Sequence, residues 1–567
     1  RETASGGAMP VSGAAPQDAA DTAQAAGAYS PTNVQVAGID EGDIVKTDGH
    51  HLYVAHGRQV SIVSAGGADS TRVASIDTSA LVGADELLVG PVVDLMIDGT
   101  TLIVVTHSFT AAIPDAQWHT PDWLSLAATG VKTAFYDIAD PANPTLLSTV
   151  EQSGSYVDSR LSAGVLYLVS QYQVEPQSAD PGDVGSYVPM IDDSTGARPV
   201  PADHCYLPPH PLSPTYSVAT AIDVTSRKAT SEVAVLGHTG TVYMSQANLY
   251  LASGQYWTTY EEDTANPAEL TIPGSGGVYT GDRTTIARIS LTAGDLAVAA
   301  TNELAGSLLN QFALDETAGY LRAVTTWSDE STDWTPTPAL WVLDSQLNVV
   351  GSIPQLTRDE SVQSVRFDGA VAYVVTYRQV DPLFTLDLTD PADPKIQGAL
   401  KIPGFSSYLH PFGDGLVLGV GVDETVEADD SVTRKGLKLS MFDASNPFDV
   451  RELASAAILA DETEVSVDHK AMFVDLERGL IGLPTTTWGT EAAKATWNYR
   501  TYSWNGESFE PRAVIDLAAD QLGATDSTTG WLTCRGTRIG DSFYLTTTSA
   551  VGVYSLTDFT RQATVTL

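Results

Sequence analysis

Short apolar runs recur along the chain from Val34 onward. The runs are rich in Val, Ile, Leu, Tyr and Thr, and Gly, Asp, Asn and Pro separate them. This alternation is typical of β-strands joined by tight turns. The stretch from Arg366 to Phe405 holds one complete unit, in which turns separate the runs AVAYVVTY, PLFTLDL and KIQGALKI. The pattern therefore predicts an all-β protein.

One apolar phrase of this unit occurs nine times in the sequence. Its copies are HLYVA at His51, TLIVVT at Thr101, VLYLVS at Val165, NLYLAS at Asn248, YLRAVTT at Tyr320, VAYVVTY at Val371, LVLGVG at Leu416, GLIGLP at Gly479 and SFYLTTT at Ser542. Repeats with this spacing and four short strands each are typical of β-propeller blades. We expect a single large β-propeller of about eight or nine four-stranded blades.

The last repeat is one strand short, since few residues follow its third strand. The segment Asn33–Gly38 precedes the first repeat and is able to supply the missing edge. Strands from both termini would then close the ring and remove its exposed sheet edges.

Residues 1–32 differ from the rest of the chain. They are mostly Ala, Gly, Ser, Pro and Asp, and such a segment buries too little apolar surface to offset its ordering entropy. We therefore expect a flexible tether over residues 1–32 and the propeller over residues 33–567. A tether suits a protein held at a surface by an anchoring segment upstream of Arg1, and we expect contact with a membrane only through such an anchor.

The net charge narrows the choice of partners. The chain has 29 Lys and Arg against 70 Asp and Glu, a formal net charge of −41. A field of this sign repels phosphate backbones and anionic lipid, so we expect no nucleic-acid partner. Two explanations of the charge remain: solubility in a salty or extracellular setting, and cation binding.

The two cysteines, Cys205 and Cys534, are far apart in sequence. Two cysteines outside any CxxC context exclude a zinc site built on cysteine. They would form one disulfide in an oxidising compartment or remain two buried thiols in the cytosol. We expect the disulfide, because other features indicate a location outside the cell.

Long stretches of the sequence resemble a secreted β-propeller family distantly related to WD40 repeats. The resemblance rests on TNVQVAGIDEGDIVKTDG at Thr32, LLNQFALDETAGYLRAVTT at Leu308, SVRFDGAVAYVVTYRQVDPLF at Ser364, KIPGFSSYLHPF at Lys401, SVDHKAMF at Ser466 and CRGTRIGDSFYLTTTS at Cys534. It implies a propeller exported from the cell behind an N-terminal segment absent from this chain. It transfers no catalytic residue, because the family carries no assigned reaction.

Six basic or histidine side chains are candidates for a ligand site in the central channel. They fall in the predicted first strands of several repeats: Lys46, Arg160, Arg366, His410, His469 and Arg535. If these strands are innermost, the side chains converge on the channel and form a local anion site. The alternative is that each pairs with an Asp as a structural bridge between blades.

A second group is acidic and comprises Asp40, Glu41, Asp43 and Asp48. Hard oxygen ligands at this density suit Ca²⁺, although the same residues also suit a turn that enters the first blade. We expect no required cofactor, and Ca²⁺ is the one ion that these residues suit.

No strong catalytic motif is present in the sequence: HExxH, G-x-S-x-G, Walker A and EF-hand spacings are all missing. We therefore expect a monomeric, non-enzymatic, secreted or cell-surface propeller that binds a protein, peptide or glycan through one face. Its long loops, Asp115–Leu124 and Val174–Pro214, are where ligand contacts are expected. The alternative is an extracellular hydrolase or lyase that uses His410 or His469 with nearby acids in the channel.

Overall fold

A computed structural model describes most of the chain. It covers residues 29–83, 86–110, 130–174, 179–208, 213–259, 278–292, 294–328, 333–377, 381–402, 404–413, 415–426, 431–489, 494–523 and 533–567. The regular elements in these residues are β-strands and short 3-10 helices. The 3-10 helices span Gly67–Asp69, Thr78–Leu81, Val184–Ser186, Ala202–His204, Gln311–Ala313, Glu464–Ser466 and His469–Ala471.

The strands form nine sheets in chain order, and each sheet is one blade. The short strand β1 (Asp40–Glu41) precedes the first blade. Blade 1 contains β2 (Val45–Thr47), β3 (His51–His56), β4 (Gln59–Ser64) and β5 (Arg72–Asp77). Blade 2 contains β6 (Glu86–Asp98), β7 (Thr101–Thr110), β8 (Gly130–Asp137) and β9 (Thr145–Ser153).

Blade 3 carries the longest connection and three additional strands. The strands in chain order are β10 (Ser155–Ser162), β11 (Val165–Gln173), β12 (Met190–Asp193), β13 (Gly196–Pro199), β14 (Cys205–Tyr206), β15 (Thr215–Asp223) and β16 (Lys228–Leu236). Strands β10, β11, β15 and β16 make the blade, and β1 pairs with the inner edge of β10. Hairpin β12–β13 instead extends the outer edge of blade 2, and β14 pairs with β16.

Blades 4 to 6 follow the same order from the axis outward. Blade 4 contains β17 (Thr241–Met244), β18 (Asn248–Thr259), β19 (Val278–Thr292) and β20 (Asp295–Ala305). Blade 5 contains β21 (Ser307–Leu308), β22 (Leu314–Thr317), β23 (Tyr320–Trp327), β24 (Thr337–Leu343) and β25 (Val349–Ile353). Blade 6 contains β26 (Ser361–Asp368), β27 (Val371–Tyr377), β28 (Asp381–Asp387) and β29 (Lys395–Ile402).

Blades 7 to 9 complete the ring. Blade 7 contains β30 (Phe405–Pro411), β31 (Leu416–Val426), β32 (Val432–Asp443) and β33 (Arg451–Ile458). Blade 8 contains β34 (Phe473–Asp475), β35 (Leu480–Thr487), β36 (Thr496–Trp504) and β37 (Phe509–Asp516). Blade 9 contains β38 (Cys534–Ile539), β39 (Ser542–Thr547), β40 (Ala550–Ser555) and β41 (Arg561–Thr566).

The position of a strand in its blade explains its sequence pattern. Middle strands such as β8 and β27 are buried almost throughout, because neighbouring blades cover both of their faces. Outermost strands such as β33 alternate between buried and exposed positions, because one face meets solvent. The repeated apolar phrase is thus the second strand of each blade, and the predicted propeller is confirmed with nine blades.

Hydrophobic clusters in the gaps between neighbouring blades hold the ring together. Each of the nine gaps contains one such cluster. The cluster between the last and first blades joins Val54 and Val63 of blade 1 to Tyr544 and Val553 of blade 9. Burial of apolar surface between blades therefore closes the ring.

The N-terminal segment does not complete the last blade in the predicted way. Blade 9 has four strands of its own, so the expected edge strand from Asn33–Gly38 is wrong. The N-terminal segment adds only one bridge, between Tyr29 and Ile539 of β38. Beside it, the amide of Ser30 donates to the carbonyl of Arg538 at 2.9 Å. Residues 1–28 of the predicted tether lie outside the described residues.

Residues 29–44, the inner segment, pass through the central channel and contact most of the blades. The Asn33 amide donates to the Tyr408 hydroxyl of blade 7 at 3.0 Å and to the His469 carbonyl at 2.9 Å. Further along, the side-chain amide of Gln35 donates to the backbone carbonyls of Gln311 and Leu314 at 3.0 and 3.1 Å. The segment then pairs with blade 3 through β1 and bridges Asp43 to Leu95 of blade 2.

The two faces of the ring carry different connections. Each innermost strand begins at one face, here called the mouth face, and the antiparallel order returns the second-to-third-strand connection to that face. The opposite face, the hairpin face, carries the hairpins between the third and fourth strands. In three of these hairpins Asp137, Asp387 and Asp443 each accept a hydrogen bond from the amide two residues ahead.

The predicted disulfide is wrong, because both cysteines are free. Cys205 lies in β14 at the outer edge of blade 3, whereas Cys534 is buried in β38, the innermost strand of blade 9. The two thiols therefore belong to different blades and to opposite edges of those blades. No helix in the described part of the chain is long and apolar enough to span a bilayer.

A substitution at Gly42 tests how closely the inner segment packs against Asp94 of β6. A Cβ at this position would collide with the Asp94 carboxylate, whereas a Cβ at Gly254 in β18 would meet no atom within 4 Å. We expect Gly42→Ala to lower the free energy of unfolding by about 1–3 kcal/mol, as overpacking in a buried site does. Gly254→Ala is the matched control and should change it by less than about 0.5 kcal/mol. Equal denaturation midpoints for the two variants would contradict this packing.

Candidate functional site

A cavity of about 320 Å³ opens at the mouth face, over the inner segment. Blades 3, 4, 5, 7 and 8 contribute its wall at the starts of their innermost strands. The lining residues are Val157, Asp158, Gly240, Thr241, Val242, Leu309, Asn310, Gln311, Phe312, Ser407, Tyr408, Val465, Ser466, Val467 and His469. We call this cavity the axial pocket.

Three rings lie together in the wall of the axial pocket. The ring centroid of Phe312 is 4.9 Å from that of His469 and 5.7 Å from that of Tyr408, both edge to face. Tyr408 and His469 stack at 6.5 Å. Tyr408 and His469 are 4% and 9% exposed, so the pocket is deep at this point. Edge-to-face packing fixes the orientation of all three rings.

Glu41 connects the inner segment to the pocket. One carboxylate oxygen accepts a hydrogen bond from the backbone N–H of Gln35 at 2.7 Å, and the other lies 3.1 Å from His469 Nε2. The Arg160 guanidinium is 3.9 Å away. Burial alone would raise the pKa of Glu41, but the Arg160 charge and the contacts with His469 and Gln35 outweigh burial and hold this pKa well below its usual range. Glu41 is therefore ionised at neutral pH.

Arg160 sits between Glu41 and Asp158. Its guanidinium donates to Asp158 Oδ1 and, at 3.2 Å, to Gln311 Oε1. Burial raises the pKa of the Asp158 carboxyl, the Arg160 charge opposes this rise, and the Glu41 charge adds to it. The side chain of Asp158 is 20% exposed and reaches the axial pocket.

His410 and Arg366 lie close to Tyr408 and Phe312. His410 Nδ1 is 3.2 Å from the Tyr408 hydroxyl, and the Arg366 guanidinium stacks over the Phe312 ring at 5.1 Å. Burial, followed by the positive charges of Arg366 and His469, lowers the pKa of His410 to about 3. His410 is therefore neutral at physiological pH. Among the described residues, no carboxylate pairs with Arg366.

Arg535 of β38 binds three carboxylates. Its Nε donates to Asp43 of the inner segment at 2.9 and 3.0 Å, and its Nη1 donates to Glu464 at 2.8 Å. Its Nη2 donates to Asp468. Burial disfavours the charged guanidinium, but the three carboxylates prevail and raise the pKa of Arg535. This group ties the inner segment to blades 8 and 9.

Asp94 of β6 is a buried carboxyl beside the inner segment. Its Oδ2 accepts hydrogen bonds from the Tyr156 hydroxyl and, at 3.0 Å, from the Ser159 hydroxyl. Burial raises the pKa of Asp94 to about 6 against the opposing charge of Lys470. The Lys470 ammonium in turn donates to the Gly42 carbonyl at 2.8 Å.

Five of the six predicted channel residues lie in innermost strands, His469 lies in the 3-10 helix before β34, and the six have different partners. Lys46 donates to Asp40 at 2.7 Å, so Lys46, Arg160 and Arg535 all pair with the chain's own carboxylates. The structural alternative thus describes these three residues, although three of their carboxylate partners, Asp40, Glu41 and Asp43, lie on the inner segment. Only His469 lines the axial pocket directly, and Arg366 and His410 lie behind its rings.

The four calcium candidates do not come together. Asp40 faces Lys46, Glu41 faces His469, and Asp43 faces Arg535. Asp48 caps a turn by accepting the amides of His50 and His51 at 2.7 and 2.6 Å. Within the described residues, no group of three or more His, Cys, Asp or Glu side chains is arranged to hold a metal ion.

Sequence reasoning missed most of the pocket wall. Tyr408 precedes His410 by two residues in β30, so the period of a strand placed both on one face, and this signal was available. Asp158 precedes Arg160 by two residues in β10 and carried the same signal. Phe312 has no comparable signal, since its role depends on the other blades that meet it at the axis. Of the two predicted binding loops, Asp115–Leu124 lies outside the described residues, as do residues 175–178 and 209–212 of Val174–Pro214.

The chain is similar to a known protein family and to several known proteins. A family model described as "Beta propeller domain" matches residues 29–559. An uncharacterised protein of Archaeoglobus fulgidus is 30% identical over 518 residues, 80% of this chain and 75% of that protein. One of Methanocaldococcus jannaschii is 29% identical over 495 residues, 74% of this chain and 69% of that protein. Among solved structures, BamB from Moraxella catarrhalis matches at 10% identity and a TM-score of 0.33, over 65% of this chain and 89% of that one, which is too low to carry weight.

The raised pKa of Asp94 makes the free energy of unfolding depend on pH. Its pKa is about 6 in the folded protein against an ordinary 3.8, so the folded state holds more protons between these values. Its stabilising contribution is complete below pH 4 and is lost as the pH rises through 6, by about 3 kcal/mol. Relative to Asp94→Asn, we expect the native protein to lose about this much free energy of unfolding over that range.

Denaturant unfolding at several pH values measures this difference. Asp140→Asn, at an exposed turn of the same blade, is the matched control and should follow the native protein at every pH. A native protein that keeps a constant offset from Asp94→Asn between pH 4 and 7 would contradict the assignment.

Proposed function

Because this chain belongs to the β-propeller domain family, we propose that it is a non-enzymatic binding module that takes its ligand in the axial pocket. The ligand is a protein, a peptide or a glycan, and the site of binding is the mouth face. We place the protein outside the cell or at its surface, as a monomer.

One observation carries the proposal: the inner segment fills the channel and leaves a solvent-open pocket above it. Glu41, Arg160 and Arg535 are consumed by internal pairing, so they act as scaffold. The pocket above combines apolar side chains such as Val242 and Val467 with a few polar groups. A largely preformed cavity of roughly 300–1000 Å³ with this mixture is typical of small-ligand and side-chain sites.

The alternative, a hydrolase or lyase in the channel, has weaker support. A general acid or base needs a pKa near the working pH and access to substrate. The pKa of Glu41 is held far below that range, and the pKa of His410 is lowered to about 3. His469, which lines the pocket, lies 3.1 Å from Glu41 and packs against Phe312. These contacts suit a rigid wall better than a proton-transfer pair.

The proposed location outside the cell is supported by the charge of the chain. A net charge of −41 keeps a protein soluble at high ionic strength and repels nucleic acids and anionic lipid. It also favours partners that are neutral or basic.

Blocking the pocket tests the proposed function. Ser466 is exposed at the rim, where its hydroxyl lies 3.0 Å from that of Ser407. We expect Ser466→Trp to fill the pocket and to reduce ligand binding at least about tenfold, measured with peptide and glycan arrays and then by calorimetry. Each bound ligand should be recovered chemically unchanged by mass spectrometry.

The matched control is Ser226→Trp in an exposed turn on the hairpin face. It adds the same ring without reaching the pocket and should bind as the native protein does. Equal binding by both variants would place the ligand elsewhere, and conversion of the ligand would favour the enzymatic alternative.

A further inference from the structure

The axial pocket has an apolar wall and a carboxylate inside it. Val467 and Leu309 at its rim are 78% and 44% exposed, whereas Asp158 is 20% exposed. A ligand that enters thus meets aliphatic side chains first and a negatively charged group further in. This order matches a side chain with a methylene stem and a charged end.

The Asp158 carboxylate has an oxygen available. Both hydrogen bonds that it accepts, from Arg160 and from the Ser159 amide at 2.8 Å, fall on Oδ1. Among the described residues no donor reaches Oδ2. Partly buried acceptors normally find a donor, so a ligand that donates hydrogen bonds completes this site.

The Asp158 carboxylate and the acidity of the whole chain favour a cation. Glu41 and Asp158 share the Arg160 guanidinium, and the Lys470 charge also acts on Asp158. Beyond them the whole chain carries a net charge of −41, and a recess in such a surface concentrates positive ions.

We infer that the axial pocket binds a primary alkylammonium group, the chemistry of a lysine side chain, with Asp158 Oδ2 as its hydrogen-bond acceptor. The stem of about four methylenes lies against Val467 and Leu309, and the apolar surface buried in this contact favours binding. The inference rests on the proposed function and names the ligand class of the same pocket. A polypeptide and a free polyamine both offer this group, and the probes below separate them.

A charge placed at the rim tests the inference without disturbing the fold. Val467→Lys puts a positive charge at the pocket entrance, and Leu459→Lys puts the same charge at a residue that is 81% exposed and outside the pocket. Both variants have the same net charge, so a general attraction of cations to the acidic surface falls equally in both. Calorimetry with a lysine-containing peptide, its Nε-acetylated form, butylamine and spermidine is the measurement.

We expect the lysine peptide to bind the native protein and acetylation to abolish binding. Val467→Lys should weaken binding about tenfold, since like charges a few ångströms apart repel each other. Leu459→Lys should stay within about twofold, because solvent screens a distant charge. Binding of butylamine or spermidine with the same pattern would assign the shared chemistry to free amines as well.

Asp158→Asn checks the acceptor directly, with circular dichroism and the melting temperature read first because Arg160 loses a partner. A folded variant with at least about tenfold weaker amine binding supports the assignment. Equal binding of the acetylated peptide, or equal losses in Val467→Lys and Leu459→Lys, would overturn it. If a neutral ligand binds and Ser466→Trp blocks it while no amine binds, this inference fails and the proposed function stands.

Discussion

Nine blades around one axis leave room for a length of polypeptide inside the ring, and this chain fills that room with its own residues 29–44. The filling brings the carboxylates of Glu41 and Asp43 into the interior, where an unpaired charge is very costly. Arg160 and Arg535 supply the opposite charges from blades 3 and 9. The inner segment therefore depends on the ring for the charges that oppose its own.

The same pairing makes the pocket rigid. Asn33 holds the Tyr408 hydroxyl and the His469 carbonyl, and Glu41 holds the other side of His469. The Tyr408 hydroxyl and the His469 carbonyl thus have internal partners, whereas Asp158 Oδ2 has none among the described residues. Such preorganisation lowers the entropy that binding must overcome.

The repeat pattern predicted the fold because each blade is built from local strand and turn signals. It also placed Arg160, Arg366 and Arg535 on the axis, since a fixed position relative to the turn glycine means a fixed depth in the ring. It could not identify their partners, because Asp43 and Arg535 are nearly the whole chain apart in sequence. The predicted disulfide failed for the same reason: the radial positions of Cys205 and Cys534 depend on which strand of a blade each one occupies.

Tyr29 meets the ring at the end of β38, on the hairpin face, while the axial pocket opens on the mouth face. An attachment at Tyr29 would consequently lie on the face opposite to the axial pocket. Mechanical load follows the same route. A pull on that end stresses the bridge to Ile539 and the hydrogen bonds of Ser30 with Arg538 before it reaches Asn33, Gln35 or Glu41.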